Sequence, residues 1–192
     1  MTERNNVVVR SLHDVGLAAW FGGSLAGAVA VNGAAADVPD PKMRLRVANA
    51  GWARWTPVNA VAIAAHLIGG AGLLRANKRR AAAQSGVGAT TVAKLALTGA
   101  ALAVTAYSRA LGKKLQQAEA EAIPVEGATD PAASTPLELA KTQQQLDACQ
   151  WLIPALTGGM SVMAAVQGEQ QRPSQQLSGI LTKAGQWLRA TA

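Results

Sequence analysis

Few residues of this chain are of types that do chemistry, and they are scattered. His66 falls near the middle of Trp55–Leu74, a run of 20 residues with no other ionisable group. A titratable side chain at membrane depth is a functional candidate by default. An imidazole there can ligate a haem iron, hydrogen-bond a quinone or pass a proton. A neutral ring can equally bond a neighbouring helix through Ser24, Asn32 or a carbonyl. His66 is thus the one cofactor-binding candidate, for haem or quinone, and the sequence requires no cofactor. His13 stands beside Asp14 just ahead of the first apolar stretch, an arrangement that suits a solvated ring next to a helix-capping carboxylate. A haem shared by His13 and His66 is disfavoured: one ring is expected at the surface and the other near mid-membrane, roughly 10 Å apart in depth.

The remaining motifs fall short. Cys149 is the single cysteine, which excludes internal disulfides and paired-thiol chemistry. Gly22-x-Ser24-x-Ala26 lacks the last glycine of a nucleophile elbow, and no glycine precedes Gly112-Lys113 at phosphate-loop spacing. Zinc-protease and EF-hand patterns are missing from the sequence, so no metal site and no catalytic residue is expected, and the chain leans away from being an enzyme. Lys94 and Arg109 are about 22 Å apart along a helix, near opposite interfaces, where both can extend towards water.

The elements that must position these residues are announced by where charges are missing. Of 192 residues, 49% are hydrophobic, yet aromatics make up 4% and charged residues 15%, against about 25% charged in an ordinary soluble domain. That composition excludes a disordered chain and a disulfide scaffold. Mean hydropathy is only +0.13, so its distribution decides. Val15–Ala36 (22 residues) and Ala148–Gln167 (20 residues) carry no charge, and Val92–Leu111 carries only Lys94 and Arg109. Together with Trp55–Leu74 they make four stretches of the length, roughly 20 residues, that crosses a ~30 Å hydrocarbon layer. The expected fold is all-α: a polytopic four-transmembrane-helix bundle over 15–36, 55–74, 92–111 and 148–167. A water-soluble alanine-rich bundle fits less well, since the stretches lack a polar face every third or fourth residue.

These stretches are poor in bulk. The first holds Gly16, Gly22, Gly23, Gly27 and Gly33. Gly23-x-x-x-Gly27, Ala65-x-x-x-Gly69, Gly99-x-x-x-Ala103 and Ala155-x-x-x-Gly159 are small-residue pairs at the spacing that lets helix backbones approach. Gly23, Gly27, Gly69, Gly99 and Gly159 are therefore the expected packing positions, within the bundle or on a partner.

The connections complete the expectation. Residues 1–14 form a polar N-terminal segment. Ala34-Ala35-Ala36 before Asp37 resembles a signal-peptidase site, but the apolar run is long for a signal, and Glu3 and Asp14 are unusual ahead of one. From Asp40-Pro41, with Leu45, Ala48, Trp52 and Trp55 on one face and Lys42, Arg44, Arg46 and Arg54 available to water or lipid phosphate, a short interfacial helix is expected. No acid lies between Asp40 and Glu119, while twelve Lys and Arg do. The cluster Arg75, Lys78, Arg79 and Arg80 reads as a cytoplasmic anchor touching anionic lipid; it abuts a span and lacks a stacking platform, so nucleic acid is not an expected partner. Lys114–Glu121 is expected to continue the third helix. Thr135-Pro136-Leu137-Glu138 has capping-box form at the start of the fourth, and Pro154 is a potential kink within it. The segment 168–192 contains an amphipathic helix with Leu177, Ile180, Leu181, Ala184, Trp187 and Leu188 in its stripe.

With both termini inside, nine Lys and Arg outside the spans are cytoplasmic and seven are not, which favours that orientation. The bias towards Ala, Gly and Arg suits a bacterial inner-membrane protein. The expected role is association, as an accessory or scaffolding subunit among other membrane subunits or as a homo-oligomer. A redox protein centred on His66 is the first alternative, and a channel or transporter built on Asn32, Asn59, His66 and Thr98 is the second.

Overall fold

A computed structural model describes residues 3–83 and 87–169, with side chains over 7–76 and 88–169. Helix α1 spans Glu3–Ala26, passes through a π-helical turn at Gly27–Val31 and continues as the short α2, Asn32–Ala36. Then follow α3 (Arg44–Ala83), α4 (Val87–Ala120) and α5 (Leu137–Glu169), with no strand among the described residues. Four helical stretches are long and apolar enough to cross a membrane: Val7–Ala36, Arg44–Ala76, Gly88–Ala120 and Leu137–Glu169. α1 packs antiparallel along α3, and α4 along α5. The two pairs come together side by side, α1 against α5 and α3 against α4.

Three boundaries differ from the sequence expectation. Residues 3–14 are the first turns of α1 rather than a separate polar segment, so Asp14 lies inside the helix and caps nothing. No separate interfacial helix forms after the first span: residues 44–55 are continuous with α3, which runs through Pro57 unbroken. Arg44 is not left to water or lipid, because its guanidinium donates to the carbonyls of Val38, Val125 and Glu126 and pairs with the Glu126 carboxylate at 3.0 Å. At the start of α5, Thr135 does not cap the helix. Its hydroxyl accepts from the Ala132 N–H and donates to the Pro124 carbonyl, tying the 121–136 connection together. The extension of α4 to Ala120 and the passage of α5 through Pro154 agree with expectation. The amphipathic stretch past Glu169 lies outside the described residues.

That connection closes one end of the bundle. The Val125 N–H bonds the Pro41 carbonyl across to the other turn, and the buried Gln143 amide donates to the carbonyls of Gly127 and Ala128. Beneath it, Val125 packs with Leu45, Leu111, Leu115 and Leu146. The bundle interior is otherwise thin. Leu17, Trp20, Ala101, Ile153 and Met160 form the mid-bundle core, while Val61 is 70% exposed and Val15 68%.

Glycines set the α1–α3 contact. A Cβ on Gly16 would stand 2.5 Å from the Ala62 carbonyl and from the His66 backbone nitrogen, and one on Gly69 would collide with the backbone of His13 and Val9. Further along, the Trp55 ring lies on Gly23 and the Trp52 ring on Gly27. Backbone cannot yield as a flexible side chain can. Gly16→Ala and Gly69→Ala are therefore each expected to cost about 1–3 kcal/mol through overpacking. Gly22→Ala, where an added methyl meets nothing within 4 Å, is expected to be neutral or to stabilise by up to about 1 kcal/mol through helix propensity. Thermal unfolding of the three purified variants checks the contrast.

Candidate functional site

The α1–α3 contact brings the two histidines together. Their ring centroids are 4.3 Å apart, tilted by 40°. His66 is 3% exposed and His13 4%. Depth therefore does not separate them, contrary to the sequence expectation, because α1 begins ten residues before His13 and runs antiparallel to α3. A local repeat carries the arrangement: His13-x-x-Gly16 and His66-x-x-Gly69. Laid antiparallel, each glycine admits the backbone beside the opposite histidine. That paired spacing was the available sequence signal, although the pairing of helices needed to use it was not.

Hydrogen bonds fix the ring orientations. His13 Nδ1 bonds the Asp14 carboxylate at 2.7 Å. His66 Nδ1 donates to the His13 carbonyl at 3.1 Å, the neighbouring-carbonyl partner foreseen for a structural ring. A donor at Nδ1 places the free lone pair of neutral His66 at Nε2. Trp20 stands edge-on to His66 at 6.2 Å, and its buried indole N–H has no partner. Lys94, half-buried on α4, lies close enough to act electrostatically on both rings. Lys94 thus lies near the histidine pair.

Haem does not fit between these rings. Two imidazoles ligating one iron from opposite sides are held apart by two metal–nitrogen bonds of about 2 Å each, with the macrocycle between them. Rings 4.3 Å apart already touch. Around His66 alone, the close α1 and α3 backbones leave the ring enclosed. No cluster of three metal-ligating side chains occurs among the described residues.

A second polar centre lies nearer the closed end. Directly after the π-helical turn, the Asn32 amide donates to the Gln150 side chain on α5 and accepts the Trp52 indole N–H at 2.9 Å. Three helical segments are joined by one side chain, and all three groups are satisfied, as buried polar groups should be. Sequence reading did not single out Gln150 or Trp52 as its partners. Thr98 instead bonds Met160 Sδ at 3.0 Å and the Lys94 carbonyl. Asn32, His66 and Thr98 thus engage different partners, while the buried Asn59 Oδ1 has none.

The other expected positions divide. Gly23, Gly27 and Gly69 face α3 or α1 within the chain; Gly159 has an ordinary neighbour, Leu97, at 3.7 Å; Gly99 has nothing within 4 Å. Cys149 is buried and free. Arg75 is exposed near the end of α3, and the side chains of Lys78, Arg79 and Arg80 lie outside those described.

Fold and site together define an all-helical protein with four helices long and apolar enough to span a membrane. The chain matches no protein-family model, no curated protein and no solved structure. The enclosed, mutually contacting rings predict that the purified protein shows no Soret absorption and that His66→Ala leaves its spectrum unchanged. A Soret band abolished by that substitution would contradict the contact geometry.

Proposed function

We propose that this chain is a multi-pass membrane protein whose work is association, as an accessory or scaffolding subunit that docks through the open face of α4. The membrane reading is supported by the outward faces: Val15, Val61, Ile68, Val92 and Val162 are all strongly exposed, a distribution that suits lipid and disfavours water. In lipid no hydrophobic force draws helices together, so association depends on close packing of small residues and on interhelical hydrogen bonds.

One observation carries the docking reading. Gly16, Gly23, Gly27 and Gly69 are covered within the chain, whereas Gly99, like Gly22 on α1, has nothing within 4 Å, and it is flanked by exposed Ala96, Ala100 and Ala103. α4 is also the least covered helix, with 11% of its apolar window buried. A partner helix can approach there as closely as α1 approaches α3. The N-terminal end of α1, the α3–α4 junction and the far end of α5 lie on one side of the antiparallel bundle. That side carries Arg75, Lys78, Arg79 and Arg80, which places it in the cytoplasm on this reading, against anionic lipid.

Sedimentation in mild detergent tests the proposal. The protein mass of the particle is expected to exceed the 19.6 kDa of one chain, and Gly99→Leu with Ala103→Leu is expected to return it to that value while the helical content persists. A wild-type particle of a single chain with no partner overturns the reading.

A further inference from the structure

The two tight helix pairs, α1 with α3 and α4 with α5, do not close completely against each other. Between α3 and α4 lies a cavity of about 360 Å³. It is large enough for a small organic molecule. Its walls are mostly apolar, with the indoles of Trp52 and Trp55, Ile63, Leu102 and Ile153 among them. Ala60 on α3 and Ala106 on α4 line it and are both exposed. Two alanines where larger side chains would seal the seam leave the cavity open sideways between the helices.

Three residues of the wall hold polar atoms that are buried and have no hydrogen-bond partner: the Trp55 indole N–H, the Asn59 Oδ1 and the Thr105 hydroxyl. Only five side-chain atoms among the described residues are in that condition, and three of them belong to residues lining this cavity. Elsewhere among the described residues, apart from the Trp20 N–H and the Gln143 Oε1, the buried side-chain polar atoms are paired. Asn32, Gln150 and Trp52 bond one another, Ser24 bonds its own helix, and Thr157 does the same. Buried polar groups are costly when unpaired, and a clustered set next to a cavity calls for an occupant that pairs them. The set contains one donor, one acceptor and one group that is both. That combination matches a neutral hydroxyl, which donates once and accepts twice. A carboxylate only accepts: it could pair with Arg109, which also lines the cavity, but would leave the Asn59 oxygen without a donor.

We infer that the cavity between α3 and α4 is a binding site for a neutral, membrane-soluble amphiphile with a hydroxyl head, its apolar body leaving through the seam at Ala60 and Ala106. Trp55 is held on the Gly23 face of α1, so its N–H is positioned before any ligand arrives. Thr105 supplies the facing hydroxyl from α4, and Asn59 sits one helical turn from Trp55 on α3. The inference takes only the lateral route of entry from the membrane reading. Association through Gly99 plays no part in it.

The test uses the full chain in detergent micelles and a photoreactive diazirine analogue of a long-chain fatty alcohol. Cross-links are mapped by mass spectrometry, with competition by the unlabelled alcohol, the matching fatty acid and the matching alkane. Labelling is expected on α3 and α4 around Ala60, Leu102 and Ala106, and the alcohol is expected to compete best. Thr105→Val keeps the side-chain volume and is expected to weaken competition by the alcohol about fivefold, the scale of one hydrogen bond, without changing competition by the alkane. Ala106→Trp fills the seam and is expected to abolish labelling there, with the thermal transition retained as evidence of folding. Equal competition by alkane and alcohol, or preference for the fatty acid, overturns the assignment of a neutral hydroxyl head. Labelling unaffected by Ala106→Trp overturns the site. Particle mass, measured on the same sample, reports separately on association.

Discussion

The close approach of α1 and α3 is the contact from which the rest of the arrangement follows. Gly16 and Gly69 let backbone meet backbone, and that approach alone presses His13 against His66. Two and three turns beyond Gly16, Gly23 and Gly27 receive the flat rings of Trp55 and Trp52. Seating holds both indoles: Trp52 donates to Asn32, and the N–H of Trp55, a residue of the cavity lining, is buried without a partner. A bulkier residue at Gly16 or Gly69 would push the two helix backbones apart, and one at Gly23 or Gly27 would displace a tryptophan ring first. In a molecule so short of large buried side chains, the contact also supplies much of the interior that exists.

Glycine packing is a weak stabiliser in water, where burying apolar area drives folding, and a natural one in lipid, where dispersion contacts and hydrogen bonds between helices must serve. The exposed valines and isoleucine along all four stretches agree with a lipid surround. So does the polar economy within them. Ser24, Thr56, Thr98, Thr142, Thr157 and Ser161 each return a hydrogen bond to a carbonyl of their own helix, which hides the hydroxyl without a partner helix. The π-helical turn is a local departure from regular winding, and it directly precedes Asn32, which bonds Gln150.

The four apolar helices were legible because absence of charge over some 20 residues is a property of local sequence. The long extension of α4 was legible too, since Lys114–Glu121 continues a helical pattern without a breaker. The start of α1 was not: Arg4, Arg10 and Asp14 suggested a polar lead-in, whereas the helix runs through all three positions, with Arg10 and Asp14 exposed. Asp40-Pro41 and the face of Leu45, Ala48, Trp52 and Trp55 suggested a separate interfacial helix, but the tryptophans pack on glycines of α1 and residues 44–55 are continuous with α3. The histidine contact and the cavity depend on which helix lies against which and at what offset. That information is held jointly by two distant segments, as in the His-x-x-Gly pair, and no single segment displays it. The cavity was least visible of all, since it arises where Ala60 and Ala106 fail to fill a seam.

The account stands on a hydrocarbon surround for these helices. Washing membranes from cells expressing the chain with alkaline carbonate, then pelleting them, tests that directly. Peripheral and soluble proteins leave the pellet under this treatment. The chain is expected to stay with the lipid and to come away only with detergent. Release into the supernatant without detergent would contradict the account at its base.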